Sequence, residues 1–288
     1  VSAHGVYIPR ARLCKKAIAE ANSWFDASLN SLAKGERAIC NWDEDTITMA
    51  VEAAKNCLES SNAPSIKSLY LASTTFPFTD RQNSVVVGEA LNLKSSIRAM
   101  DIGASQRAAT SSLVSLLESG TEDDALLISS EHRKSKAGSR SEMLWGDAAG
   151  ALLLSHKNVI AKCVAIETLS ADFVDHYRGE ESNFDYDWEE RWIRDEGYLK
   201  TIPLVVEKLI ERANITVEQI KHFVLPSDQA RTPSAVAKNI GIAQEAIVDN
   251  QIASVGVAGA AQPIVLLSKV LELAGPGEYI LLLGFGQG

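Results

Sequence analysis

Cysteine is scarce in this chain. Cys14, Cys40, Cys57 and Cys163 are spread through 288 residues, with no C-x-x-C pair and no Cys/His cluster at metal-ligand spacing. That pattern speaks against a disulfide framework, gives no reason to expect a metal, and fits a reducing cytoplasm. Positive charge is also short: Lys+Arg number 28 against 37 Asp+Glu, a net charge of -9. A nucleic-acid footprint or a surface seeking anionic lipid needs the opposite balance. No apolar run approaches the ~20 residues that span a bilayer, and Val1-Ser2-Ala3-His4 has no basic-then-apolar leader pattern. The expectation is a cytoplasmic protein that engages neither nucleic acid nor membrane. Three familiar motifs are missing as well. There is no G-x-x-x-x-G-K-[ST], no G-x-G-x-x-G after the first strand, and no H-E-x-x-H.

What is present is a hydrophobic fraction of 46%, ample for a packed core. Short apolar strands alternate with amphipathic helices. Helices are predicted over 45–60, 84–91, 105–119, 198–213, 233–240 and 260–273. Strands are predicted over 68–73, 97–102, 124–129, 149–154, 159–167, 221–225 and 279–283. Such β-α alternation implies mostly parallel, helix-covered sheets. The pattern restarts after about Lys157, which divides the chain into halves at 1–157 and 158–288. Residues 172–197 interrupt the second half with acidic residues and six aromatics: Phe173, Tyr177, Phe184, Tyr186, Trp188 and Trp192. They form either an ordered excursion pinned by its aromatics or a lid over a site.

Several stretches, in order, resemble the thiolase superfamily, specifically its ketoacyl synthase III and 3-hydroxy-3-methylglutaryl-CoA synthase branch. They are Gly5-Val6-Tyr7-Ile8-Pro9-Arg10, Asn41–Thr46 with Met49–Ala54, Gly146-Asp147-Ala148-Ala149-Gly150-Ala151, Val255–Pro263, and the ending from Pro276-Gly277 to Gly284-Phe285-Gly286-Gln287-Gly288. The resemblance implies an α/β fold, a five-layer αβαβα sandwich built from two similar halves with mixed, mostly parallel sheets. It also implies a coenzyme A thioester as substrate, with no covalently bound cofactor. A further C-terminal strand or an OB-fold domain is expected beyond this chain.

Carried over position by position, the resemblance predicts an altered site. The motif D-x-x-x-x-C-[RK]-A-G-T corresponds to Asp101–Thr110 and places Gln106 at the nucleophile. The His motif falls on Pro226–Pro233, with Pro226 or Ser227 at the histidine. The Asn of the glycine turn falls on Val257, and the Glu of S-E-S-x-P-Y falls on Thr74. Cys57, on a helix among small apolar residues, reads as core packing. The resemblance then leaves two readings. One is an acyl-CoA enzyme that cleaves a carbon–carbon bond by retro-aldol chemistry, which needs a base and enolate-stabilising donors but no nucleophile, or that carries out other non-covalent acyl-CoA chemistry. Its candidate groups are Gln106, Asp228, Tyr177 and His132, with Arg178, Arg191, Arg194 and Lys200 as contacts for the CoA phosphates. The other is a catalytically silent scaffold subunit. The resemblance also implies a dimer, homomeric or with a second thiolase-like subunit, joined along Ile97–Ile102, and a zinc-ribbon/OB-fold acyl-CoA-binding partner.

Overall fold

The computed structural model describes residues 1–59, 65–120 and 122–287. Ser60, the last residue of the first predicted helix, and Gly288 lie outside the described residues. The strands are β1 (Ala3–Tyr7), β2 (Ala11–Cys14), β3 (Glu36–Ile39), β4 (Ile66–Ala72), β5 (Arg98–Ile102), β6 (Asp124–Glu131), β7 (Ala148–Leu154), β8 (His176–Tyr177), β9 (Tyr186–Asp187), β10 (Ile220–Val224) and β11 (Tyr279–Leu282). The helices are α1 (Lys15–Asn22), α2 (Thr46–Glu59), α3 (Asn83–Ala90), α4 (Ala108–Glu118), α5 (Arg140–Leu144), α6 (Glu190–Trp192), α7 (Leu199–Ala213), α8 (Thr232–Ile240) and α9 (Gln262–Leu273).

The first sheet has the order β1-β7-β6-β4-β5. β4 is parallel to both β5 and β6, whereas β7 is antiparallel to β6 and β1. Because side chains alternate across a strand, each central strand feeds two cores. Leu126 and Ile128 of β6, with Leu69 and Leu71 of β4, pack into the core that contains α2. Ala125, Leu127 and Ala72 point the other way, into a core with Ala108, Leu113 and Leu116 of α4 and Ile264 and Leu267 of α9. The second sheet pairs β10 with β11 in parallel. Its Phe223 and Leu281 face α7 and α8, while Val224, Ile280 and Leu282 face α9. The layers therefore run α2/α3, first sheet, α4/α9, second sheet, α7/α8, as expected of the five-layer sandwich. Cys57 is fully buried in the α2 core.

Two local details follow from sequence. Pro203 cannot donate to the Leu199 carbonyl, and the Asn239 side chain from α8 supplies that hydrogen bond at 3.1 Å. Gly256, at φ +90°, lies against Gly146, where an added Cβ would fall 2.7 Å from the Gly146 nitrogen. The two glycine turns named in the resemblance therefore pack on one another backbone to backbone.

The predicted strand over 159–167 does not form. Its backbone meets a partner chiefly at Val1, whose carbonyl accepts from the amides of Ile160 and Ala161 at 3.0 and 3.3 Å. An apolar run becomes a strand only when another edge offers a ladder. Here a cavity of about 1070 Å³, lined by Ile160, Leu113, Leu271 and Ile280 among others, separates the segment from β11.

Candidate functional site

The loop between β5 and α4 carries Gln106. Asp101 at the end of β5 accepts from the amides of Asn83 and Ser84, both at 2.7 Å, and so caps the N-terminus of α3. Three residues on, Ala104 has φ +67°, a left-handed conformation that costs a β-carbon residue ~1–2 kcal/mol. This strained turn delivers Gln106 to the mouth of α4, and its side chain meets two groups. With the carboxamide oxygen turned to satisfy its neighbours, it accepts from Arg133 Nη1 at 2.7 Å, Arg133 Nη2 at 2.9 Å and His176 Nε2 at 2.9 Å.

His176 comes from the interrupting segment. On the two-residue strand β8, alternation turns His176 inward, with 13% of its side chain exposed, and Tyr177 outward, with 52% of the residue exposed. His176 Nδ1 lies 3.1 Å from Asp175 Oδ1. Gln287, beyond β11, brings its side-chain nitrogen within 2.7 Å of His176 Nε2 and donates to the His176 carbonyl at 2.9 Å. A protonated ring can donate from Nδ1 to Asp175 and from Nε2 to Gln106. A neutral ring protonated at Nδ1 can accept from Gln287 at Nε2.

Behind this pair lies a buried charge cluster. Arg133 and Asp185 form an ion pair with 4% and 3% of their side chains exposed. Asp185 also accepts from Arg178 Nη1 at 2.8 Å, and the Arg133 guanidinium lies 3.5 Å from the centre of the Trp145 ring. Glu131, fully buried, accepts from Ser73 Oγ and Thr74 Oγ1, both at 2.8 Å, and from the Thr74 amide. Gly259, at φ +46°, leaves the space for it, since an added Cβ would fall 2.7 Å from Glu131 Oε2. A carboxylate from β6 thus reaches Thr74, the position where the resemblance expects a Glu.

The other predicted site residues are placed elsewhere. Asp228 pairs with Arg140 at 3.1 Å instead of entering the cluster. Tyr177 packs on Tyr186, with ring centres 5.4 Å apart on the outer side of the hairpin. His132, between inward Glu131 and Arg133, lies 3.0 Å from Asp147 on another face. Ser227 is buried and accepts from the Gln229 amide at 3.1 Å, while Pro226 beside it is partly buried. Val257 is buried and takes part in a backbone bridge to Trp145. Of the four proposed phosphate contacts, Arg178 is held inside by Asp185 and the Thr74 carbonyl. Arg194 is paired with Asp195 at 2.7 Å and Lys200 with Glu196. Arg191 is exposed.

Sequence reasoning passed over His176, Asp175, Arg133, Asp185, Glu131 and Gln287. One signal was readable: the segment that holds Tyr177 and Tyr186 alternates inward polar residues with outward aromatics. The segment is therefore held by its charges and by Phe173, whose ring centre lies 5.7 Å from that of Phe285, while Tyr177, Tyr186 and Trp188 pack on one another outside. Phe173 and Trp192 lie 4.4 Å apart, and Trp188 and Trp192 6.0 Å apart.

Residues 210–288 match the family model of the C-terminal part of 3-oxoacyl-[acyl-carrier-protein] synthase III. The chain is 25% identical to a hydroxymethylglutaryl-CoA synthase of Methanocella arvoryzae, over 100% of this chain and 84% of that protein. A second such synthase, from Pyrobaculum aerophilum, is 25% identical over 99% and 83%. Among solved structures, 3-oxoacyl-[acyl-carrier-protein] synthase III of Aquifex aeolicus superposes with a TM-score of 0.83 at 20% identity, covering 97% of this chain and 93% of that one. A single-substitution variant of Xanthomonas campestris OleA gives 0.86 at 19% identity, covering 100% and 93%. An HMG-CoA synthase complexed with CoA gives 0.80 at 16% identity, covering 97% and 76%. The fold is the thiolase fold, and the likeness to the ketoacyl synthase III and HMG-CoA synthase branch is supported. No helix among the described residues is long and apolar enough to cross a membrane.

Proposed function

We propose that this thiolase-fold chain, similar to synthases that act on CoA thioesters, binds an acyl-CoA and cleaves a carbon–carbon bond without a covalent acyl intermediate. The observation that carries the reading is the His176–Asp175 pair on Gln106. A catalytic site drifting out of use fills with apolar side chains, because a buried charge without partners costs several kcal/mol. Around Gln106 the neighbouring side chains are instead charged, buried and hydrogen-bonded to one another.

In the retro-aldol step, His176 Nε2 takes the proton of a β-hydroxyl, oriented through Asp175 at Nδ1. The oxygen's electrons form the new carbonyl as the Cα–Cβ bond breaks, and the released pair passes to the thioester oxygen as an enolate. Arg133 and Gln287 are the donors that stabilise it. Returning the proton to Cα completes a shortened acyl-CoA beside a ketone or aldehyde. The test is to incubate the protein with β-hydroxyacyl-CoA thioesters and trap the carbonyl product. Release that is lost in His176→Ala and survives iodoacetamide supports the reading, and a reaction abolished by thiol alkylation sinks it.

The second reading, a silent scaffold, is favoured by how completely Arg133 and Asp185 are enclosed. Absence of turnover with every acyl-CoA, alone and with a zinc-ribbon/OB-fold partner, would select it. Both readings include dimerisation through β5, an edge strand of the first sheet.

A further inference from the structure

The fold gathers three residues that sequence spacing keeps far apart. β6 and β7 are antiparallel, with Glu131 opposite Ala148, so the next residue of each, His132 and Asp147, face one another past the end of the ladder. β3 runs beside them: the Asp147 amide donates to the Ala38 carbonyl at 3.1 Å. Two residues after Ala38, the Cys40 amide donates to Asp147 Oδ2 at 2.7 Å. The result is a thiol, an imidazole and a carboxylate whose ligand atoms all lie within 4.8 Å of one another.

We infer that Cys40, His132 and Asp147 form a binding site for a divalent transition metal, with zinc as the ion that fits best. A mixed sulfur, nitrogen and oxygen set suits borderline-soft Zn²⁺, whereas Ca²⁺ and Mg²⁺ need more oxygens than this site offers. The spacing is close to that of a bound ion: ligands 2.0–2.3 Å from a tetrahedral ion stand roughly 3–4 Å apart, and here His132 Nδ1 and Asp147 Oδ2 are 3.0 Å apart with all three ligand atoms within 4.8 Å. Two further observations point to a ligand. His132 Nδ1 is buried and 3.0 Å from Asp147 Oδ2, with no hydrogen bond of good geometry among the described residues. The outer contacts that orient a metal site are already built. The Cys40 amide holds the carboxylate, and the His132 amide donates to Thr75 Oγ1 at 3.0 Å.

The His132 side chain is 40% exposed, which gives the ion a route in and leaves a fourth position for water or a thioether. Met49 Sδ stands 3.6 Å from Cys40 Sγ. The site lies on the other side of β6 from Glu131, so it is separate from the Gln106–His176 pair and does not depend on the function proposed above.

The full chain, stripped with a chelator and retitrated with Zn²⁺, should take up one equivalent. Co²⁺ in its place should give a thiolate-to-cobalt charge-transfer band. Cys40→Ser should abolish that band, and His132→Gln should weaken Zn²⁺ binding by more than about tenfold. A Cys14→Ser/Cys163→Ser variant should keep both. His132→Gln changes a partly exposed side chain, so it remains a test if Cys40→Ser fails to fold. Absence of uptake by the wild-type chain overturns the site, as does binding that His132→Gln leaves unchanged or that follows Cys14 and Cys163.

Discussion

His176 Nε2 lies 2.9 Å from the side-chain amide of Gln106, although seventy residues separate them in the chain. If His176 is the base, His176→Ala should lower the cleavage rate by about 10²–10⁴-fold, the usual share of a positioned general base. Gln106→Ala should act more weakly, since it removes a neighbour of the base and leaves the base itself. Steady-state kinetics on a β-hydroxyacyl-CoA would compare the two.

The Arg133–Asp185–Arg178 cluster makes a stability prediction that holds whatever the chemistry. Asp185→Ala leaves two guanidinium groups facing one another without their carboxylate, one of them almost fully buried. Breaking such a pair costs about 3–5 kcal/mol, to be read as a lower urea midpoint at unchanged slope. A change of less than about 1 kcal/mol would mean that the cluster is open to water.

Lys15 gives the pH dependence. It is 1% exposed, its Nζ donates to the Ile252 carbonyl, and burial lowers its pKa from 10.5 to about 8. Between those values the unfolded chain binds more protons than the folded one, so this residue makes stability rise with pH across that window. Its desolvation cost is fully present below pH 8. The stability of Lys15→Met relative to wild type should therefore be greatest below pH 8 and fall by on the order of 3 kcal/mol as pH rises to 10.5. Paired denaturant titrations along that series would show it.

Ala104→Gly tests the strained turn before Gln106. Glycine adopts a φ of +67° without the Cβ clash but has more freedom to lose on folding. The net effect should be a gain of about 0.5–1 kcal/mol, measured by thermal or urea unfolding.

Alkylation should follow exposure. Cys57 is buried, with its thiol pushed up to about 12 by desolvation, and burial together with Asp147 raises Cys40 further. Cys14 and Cys163 are exposed. Mass spectrometry after brief iodoacetamide treatment should find label on Cys14 and Cys163 first, with Cys57 last.

The layers were legible in the sequence wherever an element is stabilised by its own periodicity. The apolar spacing of α2, the runs of β6 and β7, and the helix that ends at Gly241 all lie within a few residues of expectation. The segment 159–167 was not, because its composition suits a strand but a strand exists only as a pair. His132 and Tyr177 were each one residue away from a group that does enter the cluster. On a strand, one residue is the difference between two faces.

The sequence by itself determined the alternating elements and the positions of the two glycine turns, because local propensity and apolar period act between near neighbours. It also placed Gln106 at the head of α4. Only the tertiary structure decided what surrounds that residue: a histidine from the interrupting hairpin, an arginine from the end of β6 and a glutamine beyond β11. It decided likewise that Cys40, His132 and Asp147 meet. Such groupings rest on strand register and chain crossing, which bring together side chains whose separation in sequence carries no period to read.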